Sequence, residues 1–213
     1  MSDIFREVDE ALKEDRVKAF WKRYGNLLIT CALLVVLATA AFVWWRGEQQ
    51  SARLEAATNL INALGTAQES ADGGLAALSD VAESSDDDVA ALARLGAASV
   101  AMENGDAATA LSLLDQVAND SAVDRLLRDA ATLRSVYYRL DDGEVETLRG
   151  ILGNYTGAGS PWRPWALEME AMLLVRTGNT EQARDILQAL AGDEDAPAAV
   201  ADRAAELAAA LDE

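Results

Sequence analysis

Carboxylates are the most abundant side chains in this sequence that could take part in chemistry. The 213 residues include 36 aspartates and glutamates against 18 lysines and arginines, for a net charge of −18 at pH 7. Residues 86–88 and 193–195 are each three consecutive acids, which could hold a calcium ion. Neither run has the alternating, glycine-turned spacing of a calcium loop, and each precedes a predicted helix, where carboxylates favour the positive helix end. We therefore predict no metal site.

Side chains suited to catalysis are scarce. There is no histidine, which removes the commonest general base, the Ser/His and Cys/His nucleophile pairs and the usual zinc ligand. The only cysteine, Cys31, lies within an apolar run, and we interpret it as a small membrane residue. The composition favours a protein that is not an enzyme, has no cofactor and takes no small-molecule substrate.

Arginines form an unusual basic strip in the acidic part of the chain. In a helix predicted over 124–140, Arg125, Arg128 and Arg139 fall within about 60° of one another around the axis. They could anchor acidic groups of a bound chain, or pair with neighbouring aspartates of this chain, and both interpretations stay open. The candidate partner-binding residues are Arg125, Arg128, Arg139 and Tyr138.

Two tryptophans could add aromatic contacts to the same partner. Trp162 and Trp165 follow a loop punctuated by Pro161, and Pro164 lies between them. Trp165 also begins an apolar stripe at helical spacing, which favours a place in the core.

The charge is distributed unevenly along the chain. Residues 1–26 carry six basic and six acidic side chains, whereas residues 46–213 carry twelve basic and thirty acidic ones. The second segment therefore supplies the whole net charge of −18. A domain this acidic is repelled by nucleic acid and by anionic lipid, so we predict no nucleic-acid binding.

Residues 27–45 form a run of nineteen residues without a charge. At about 1.5 Å per residue, a helix of this length matches the ~30 Å hydrocarbon core of a bilayer. Aromatic side chains flank the run as in interfacial belts, namely Phe20, Trp21, Tyr24, Trp44 and Trp45. The alternative is a cleaved signal peptide ending near residues 38–40, but the long acid-containing segment before the run favours a retained anchor. We predict a transmembrane helix over 27–45.

Basic residues predict the orientation of this helix. The twenty positions before it hold five lysines and arginines, and the twenty after it hold two. This bias places residues 1–26 in the cytoplasm and residues 46–213 outside it. Ile4, Phe5, Val8 and Leu12 recur at helical spacing, so the tail is predicted to be an amphipathic helix. It either lies on the membrane surface or packs on a membrane partner.

An internal repeat begins after the apolar run. Gly73, Gly105, Gly143 and Gly178 are separated by 32, 38 and 35 residues, and an aliphatic residue follows eight positions after each. We expect a helix on both sides of each glycine, with positive φ at the glycine ending the first helix. Residues 46–213 are therefore predicted to be all-α, a solenoid of about four hairpins whose first helices line the concave face.

Two units resemble tetratricopeptide repeats in particular. Residues 104–111 and 177–184 each contain glycine followed by Asp or Asn, with alanine at the same offset, Ala110 and Ala183. The whole layout resembles the family of the ancillary subunit of the SecYEG translocon. That likeness rests on residues 20–26, on Trp44-Trp45-Arg46 closing the span, and on the last repeat.

The resemblance implies a single-pass protein of the bacterial inner membrane with a periplasmic tetratricopeptide-like domain. It further implies binding to the translocon and to a periplasmic chaperone, so that exported chains are helped out of the channel. The alternative in another class is a structural accessory subunit of a different inner-membrane complex. In that case the membrane helix and tail are the main contact.

Overall fold

The chain is described by a computed structural model that covers the backbone of residues 3–211. The side chains of residues 3–29, 31, 32, 49 and 87 lie outside the description. Across residues 3–211 the chain forms nine α-helices and no strand, which confirms the all-α prediction. The helices are α1 (Asp3–Glu69), α2 (Ala71–Ser84), α3 (Asp87–Glu103), α4 (Ala107–Asn119), α5 (Arg125–Tyr138), α6 (Val145–Leu152), α7 (Arg163–Arg176), α8 (Thr180–Ala191) and α9 (Ala198–Ala210).

The residues divide into two compact units, Met1–Glu55 and Ala56–Glu213. In the first unit, nine large apolar side chains between Leu33 and Trp45 are 54% to 74% exposed. Among the residues that the structure describes, no helix has a stretch long and apolar enough to cross a membrane. The side chains of the predicted tail, residues 1–26, and of five residues of the predicted span lie outside that description; the five are Leu27, Leu28, Ile29, Cys31 and Ala32.

The second unit is a stack of helical hairpins. Each helix from α2 onward packs on its neighbours in the chain, and α3 also contacts α5 as α7 contacts α9. The core is four local clusters rather than one: α1–α3, α3–α5, α5–α7 and α7–α9 each enclose one. Cores made only between neighbouring repeats are the property of a solenoid. The predicted solenoid of hairpins is confirmed in this unit.

Two of the four landmark glycines have the predicted conformation. Gly105 and Gly178 adopt φ +80° between α3 and α4 and between α7 and α8. The prediction is wrong for the other two. Gly73 lies inside α2, which begins after Ser70, and the Gly73 N–H donates to Ser70 Oγ at 3.3 Å.

Gly143 is required by close packing instead of by positive φ. A Cβ on Gly143 would lie 2.7 Å from the carbonyl oxygen of Arg139 and 3.0 Å from Leu148 Cδ1. The same turn is held by Arg176 of α7, whose guanidinium donates to the carbonyl oxygens of Leu140 at 2.5 Å and Gly143 at 2.6 Å. The turn between α5 and α6 is therefore defined by contacts with its neighbours.

Glu144 begins α6 and should make stability depend on pH. Its carboxylate accepts from the Thr147 hydroxyl and from the backbone N–H groups of Thr147 and Glu146, which lowers its pKa below the ordinary value of 4.5. A lowered folded-state pKa contributes stability that is present above the unfolded pKa and is lost as pH falls through the folded one. Glu144→Gln should therefore lower the melting temperature near neutral pH, and the difference from wild type should vanish in acid.

The measurement is thermal unfolding followed by circular dichroism from neutral pH to below pH 4 in steps. Glu181→Gln is the control, because Glu181 lies in the first turn of α8 without capping that helix. A difference between wild type and Glu144→Gln that stays constant with pH would contradict the capping role.

Candidate binding groove

A groove of about 1080 Å³ opens within the second unit. Side chains from α3, α5, α7 and α9, together with Trp162 just before α7, line it. The helices α3, α5 and α7 are the first helices of the second, third and fourth hairpins, and α9 closes the stack. First helices of successive repeats lie on one side of a solenoid and so form a continuous surface. The prediction that first helices line one face of the solenoid is confirmed for these three hairpins.

Aromatic and methionine side chains form the apolar wall of the groove. Tyr137 and Tyr138 come from the end of α5, with ring centroids 6.1 Å apart. Trp162 and Trp165 meet edge to face at the start of α7, with centroids 5.5 Å apart and planes at 62°. The methionines are Met102, Met169 and Met172. Rigid rings and flexible thioethers together accommodate large apolar side chains of different shapes.

An ion pair between a buried carboxylate and a half-exposed guanidinium lies in the same groove. Glu168 of α7 is only 5% exposed, and its two carboxylate oxygens accept from Nε and a terminal nitrogen of Arg203 in α9, each at 2.8 Å. This hydrogen bonding raises the pKa of Arg203 above its usual value. The pair ties α9 to α7 and leaves neither charge free for a ligand.

Three other charges in the groove have no partner among the described residues. Glu103 at the end of α3, Arg134 on α5 and Glu206 on α9 are exposed, and none makes an ion pair or side-chain hydrogen bond there. Trp162 Nε1 is buried and also lacks an acceptor among those residues. The groove therefore combines an apolar wall with two free carboxylates and one free guanidinium.

The candidates predicted from sequence are not brought together. Tyr138 lines the groove, whereas Arg125, Arg128 and Arg139 are not among its described lining residues. Arg125 Nε lies 3.6 Å from a carboxylate oxygen of Asp129, and an Arg139 nitrogen lies 3.8 Å from one of Asp115. These distances show the intramolecular pairing that the sequence left open for Arg125 and Arg139. The buried Nε of Arg128 has no hydrogen-bond partner among the described residues. A role of the three arginines in partner binding stays a prediction.

The two acidic runs contribute to contacts between helices. Asp88 Oδ1 accepts from the backbone N–H of Asp124, at the start of α5, at 3.0 Å. Asp193 accepts from Arg163 at 3.1 Å and from the backbone N–H of Asp195 at 3.0 Å. In the described part of the chain, no three potential metal-binding side chains are grouped as a site.

The sequence analysis missed the Glu168–Arg203 pair and the free charges of the groove. The two partners are 35 residues apart on different helices. One signal was present, because Glu168 occupies a position on the apolar stripe that begins at Trp165. A charged residue on an otherwise apolar stripe predicts a buried partner, although the sequence does not say which one.

A stack of helical hairpins whose first helices line an apolar groove defines a helical-repeat scaffold. The particular family follows from comparison with known families: the chain matches the tetratricopeptide repeat-like domain over residues 18–207 and belongs to that family. Domains of this family mediate contacts between proteins and are typically non-catalytic scaffolds. No curated protein and no solved structure matches the chain.

Proposed function

We propose that this protein is a membrane-anchored, protein-binding scaffold of the bacterial inner membrane. The observation that carries the binding role is the groove on the first helices of a tetratricopeptide-like domain, with its tyrosines, tryptophans and methionines. A surface of this kind, left open to solvent, is typical of a site for another chain.

The anchor is proposed from residues 27–45. The run has no charge over nineteen residues, and its described large apolar side chains, from Leu33 to Trp45, are more than half exposed. Exposed apolar surface of this extent is costly in water and favourable in a bilayer. The basic residues before the run favour a cytoplasmic N-terminus, so we propose that residues 46–213 lie in the periplasm.

The proposed partners are the SecYEG translocon and a periplasmic chaperone. The proposal rests on a resemblance to the ancillary translocon subunit, which is carried by residues 20–26, the span and the last repeat. In this role the groove would hold a segment of a chaperone or an exported chain near the exit of the channel. The second candidate is a structural accessory subunit of another inner-membrane complex. It is supported by the long exposed apolar segment of α1, which such a complex could cover.

Crosslinking in living cells tests both the partner and the location. We expect a photoactivatable residue at Tyr137, which lines the groove and is 56% exposed, to form adducts with periplasmic proteins and with translocon subunits. The same residue at Glu181, exposed on α8 and outside the groove lining, is the matched control and should form few adducts. Adducts are identified by mass spectrometry after purification in mild detergent.

Each alternative result has a distinct meaning. Adducts only with subunits of a respiratory or transport complex would replace the translocon role by the accessory role. Adducts with cytoplasmic proteins would overturn the proposed orientation. Equal adducts at both positions would overturn the role of the groove.

A further inference from the structure

We infer that the groove selects an extended polypeptide segment that carries bulky apolar side chains together with lysine or arginine. This inference rests on the proposed binding function and names the chemistry of the partner. It follows from the apolar wall, the free charges and the length of the groove.

The apolar wall determines the first property of the segment. The lining includes the exposed ring of Tyr137, the indole of Trp165 and the thioether of Met172. The two ring faces and the thioether chain present apolar surface to the groove. Large aliphatic or aromatic side chains gain the most from burial against such a surface, because the gain grows with the apolar area removed from water. The three lining methionines can adjust their shape, so the groove should tolerate different apolar side chains.

The charges determine the second property. Glu168 already neutralises Arg203. Among the described lining residues this leaves two free carboxylates, Glu103 and Glu206, and one free cation, Arg134. Glu103 is on α3 and Glu206 on α9, the first and last of the four lining helices. A segment that crosses all four helices therefore meets a free carboxylate on each outer helix. The net charge of the chain, −18, adds a field that attracts cations and repels anions.

The helices also determine the length of the segment. Helix α3 packs on α5, α7 packs on α9, and α5 and α7 share a core cluster. Packed helices lie about 8–10 Å apart, so a path from α3 to α9 is on the order of 27 Å. An extended chain advances about 3.4 Å per residue, and about eight residues cover this path. Basic residues near both ends of such a segment would lie beside Glu103 and Glu206.

The test compares labelled eight-residue peptides with the same apolar centre and with lysine, glutamine or glutamate at both ends. The full chain is held in nanodiscs of uncharged lipid, empty nanodiscs are the blank, and binding is measured by fluorescence anisotropy with a neutral dye. We expect the lysine peptide to bind about tenfold more tightly than the glutamate peptide at low salt, with the difference shrinking as salt screens the charges. Glutamine ends should give an intermediate affinity.

Two matched double variants locate the effect. Glu103→Gln with Glu206→Gln should remove most of the preference for lysine. Glu83→Gln with Glu181→Gln changes the net charge by the same amount at exposed sites outside the groove lining and should preserve it. Tyr137→Ser should weaken all three peptides by several-fold, and its exposed position makes the change compatible with folding.

The outcomes separate this inference from the proposed function. Equal binding of the three peptides, or tighter binding of the glutamate peptide, overturns the charge preference and leaves the binding role intact. If no peptide binds while crosslinking at Tyr137 succeeds, the extended segment is overturned and the scaffold role stands. Failure of both peptide binding and crosslinking overturns the inference and the proposed function together.

Discussion

Replacing Gly74 with alanine should destabilise the second unit by about 3 kcal/mol, at the upper end of the usual cost of overpacking a core. A Cβ on Gly74 would lie 2.2 Å from Ala67 Cα, 2.4 Å from Ala67 Cβ and 2.9 Å from Ala67 N. Two of these are main-chain atoms of α1, so no side chain can rotate away. The two helices of the first hairpin would have to separate.

The neighbouring glycine provides a matched control. A Cβ on Gly73 would meet its nearest atoms, in Ser70 and Thr66, at 3.4 to 3.5 Å, which is ordinary contact. Alanine in a helix is favoured over glycine by about 0.5–1 kcal/mol, so Gly73→Ala should be neutral or stabilising.

Urea unfolding of the full chain in detergent micelles, followed by circular dichroism, measures both variants. Similar free energies of unfolding for Gly73→Ala and Gly74→Ala would show that α1 and α2 do not approach this closely at Ala67.

Replacing Arg203 with methionine should cost about 2 kcal/mol, because it leaves the carboxylate of Glu168 buried without its partner. Fully buried pairs broken in this way lose about 3–5 kcal/mol. The Arg203 side chain is 50% exposed, so water can reach part of the site and the cost is smaller. The loss should be measured as the free energy of unfolding in the same urea experiment.

Two further variants show whether burial is the cause. Replacing both Glu168 and Arg203 by methionine should recover most of the loss, since an apolar pair can replace a buried ion pair at little cost. Arg149→Met removes an exposed pair with Glu146, whose side chain is 76% exposed, and should cost well under about 1 kcal/mol. A double variant less stable than Arg203→Met alone would contradict this account of the pair.

The positions of the helices could be predicted because helical periodicity is local. The apolar residues that repeat after each landmark glycine predicted hairpins, and helices flank Gly105 and Gly178 with φ +80°. Positive φ is a property of one residue and its neighbours, so sequence spacing suffices to indicate it. Gly143 and Gly74 are glycines for another reason, the close approach of other atoms, which spacing does not reveal.

For the groove, too, sequence and tertiary structure determined different features. Sequence determined the residue types and predicted the helix, α5, on which Arg125 and Arg128 both lie, whereas Arg139, the third member of the strip, follows its end. It also determined the acidic charge, the lack of histidine, the uncharged run and the hairpin period. Tertiary structure decided which helix face borders the groove, and therefore that Tyr138 lines it while the arginines of the strip do not. Tertiary structure alone paired Glu168 with Arg203, which are 35 residues apart. Contacts between helices depend on how the repeats stack, and a local pattern of about 3.6 residues per turn does not specify that stacking.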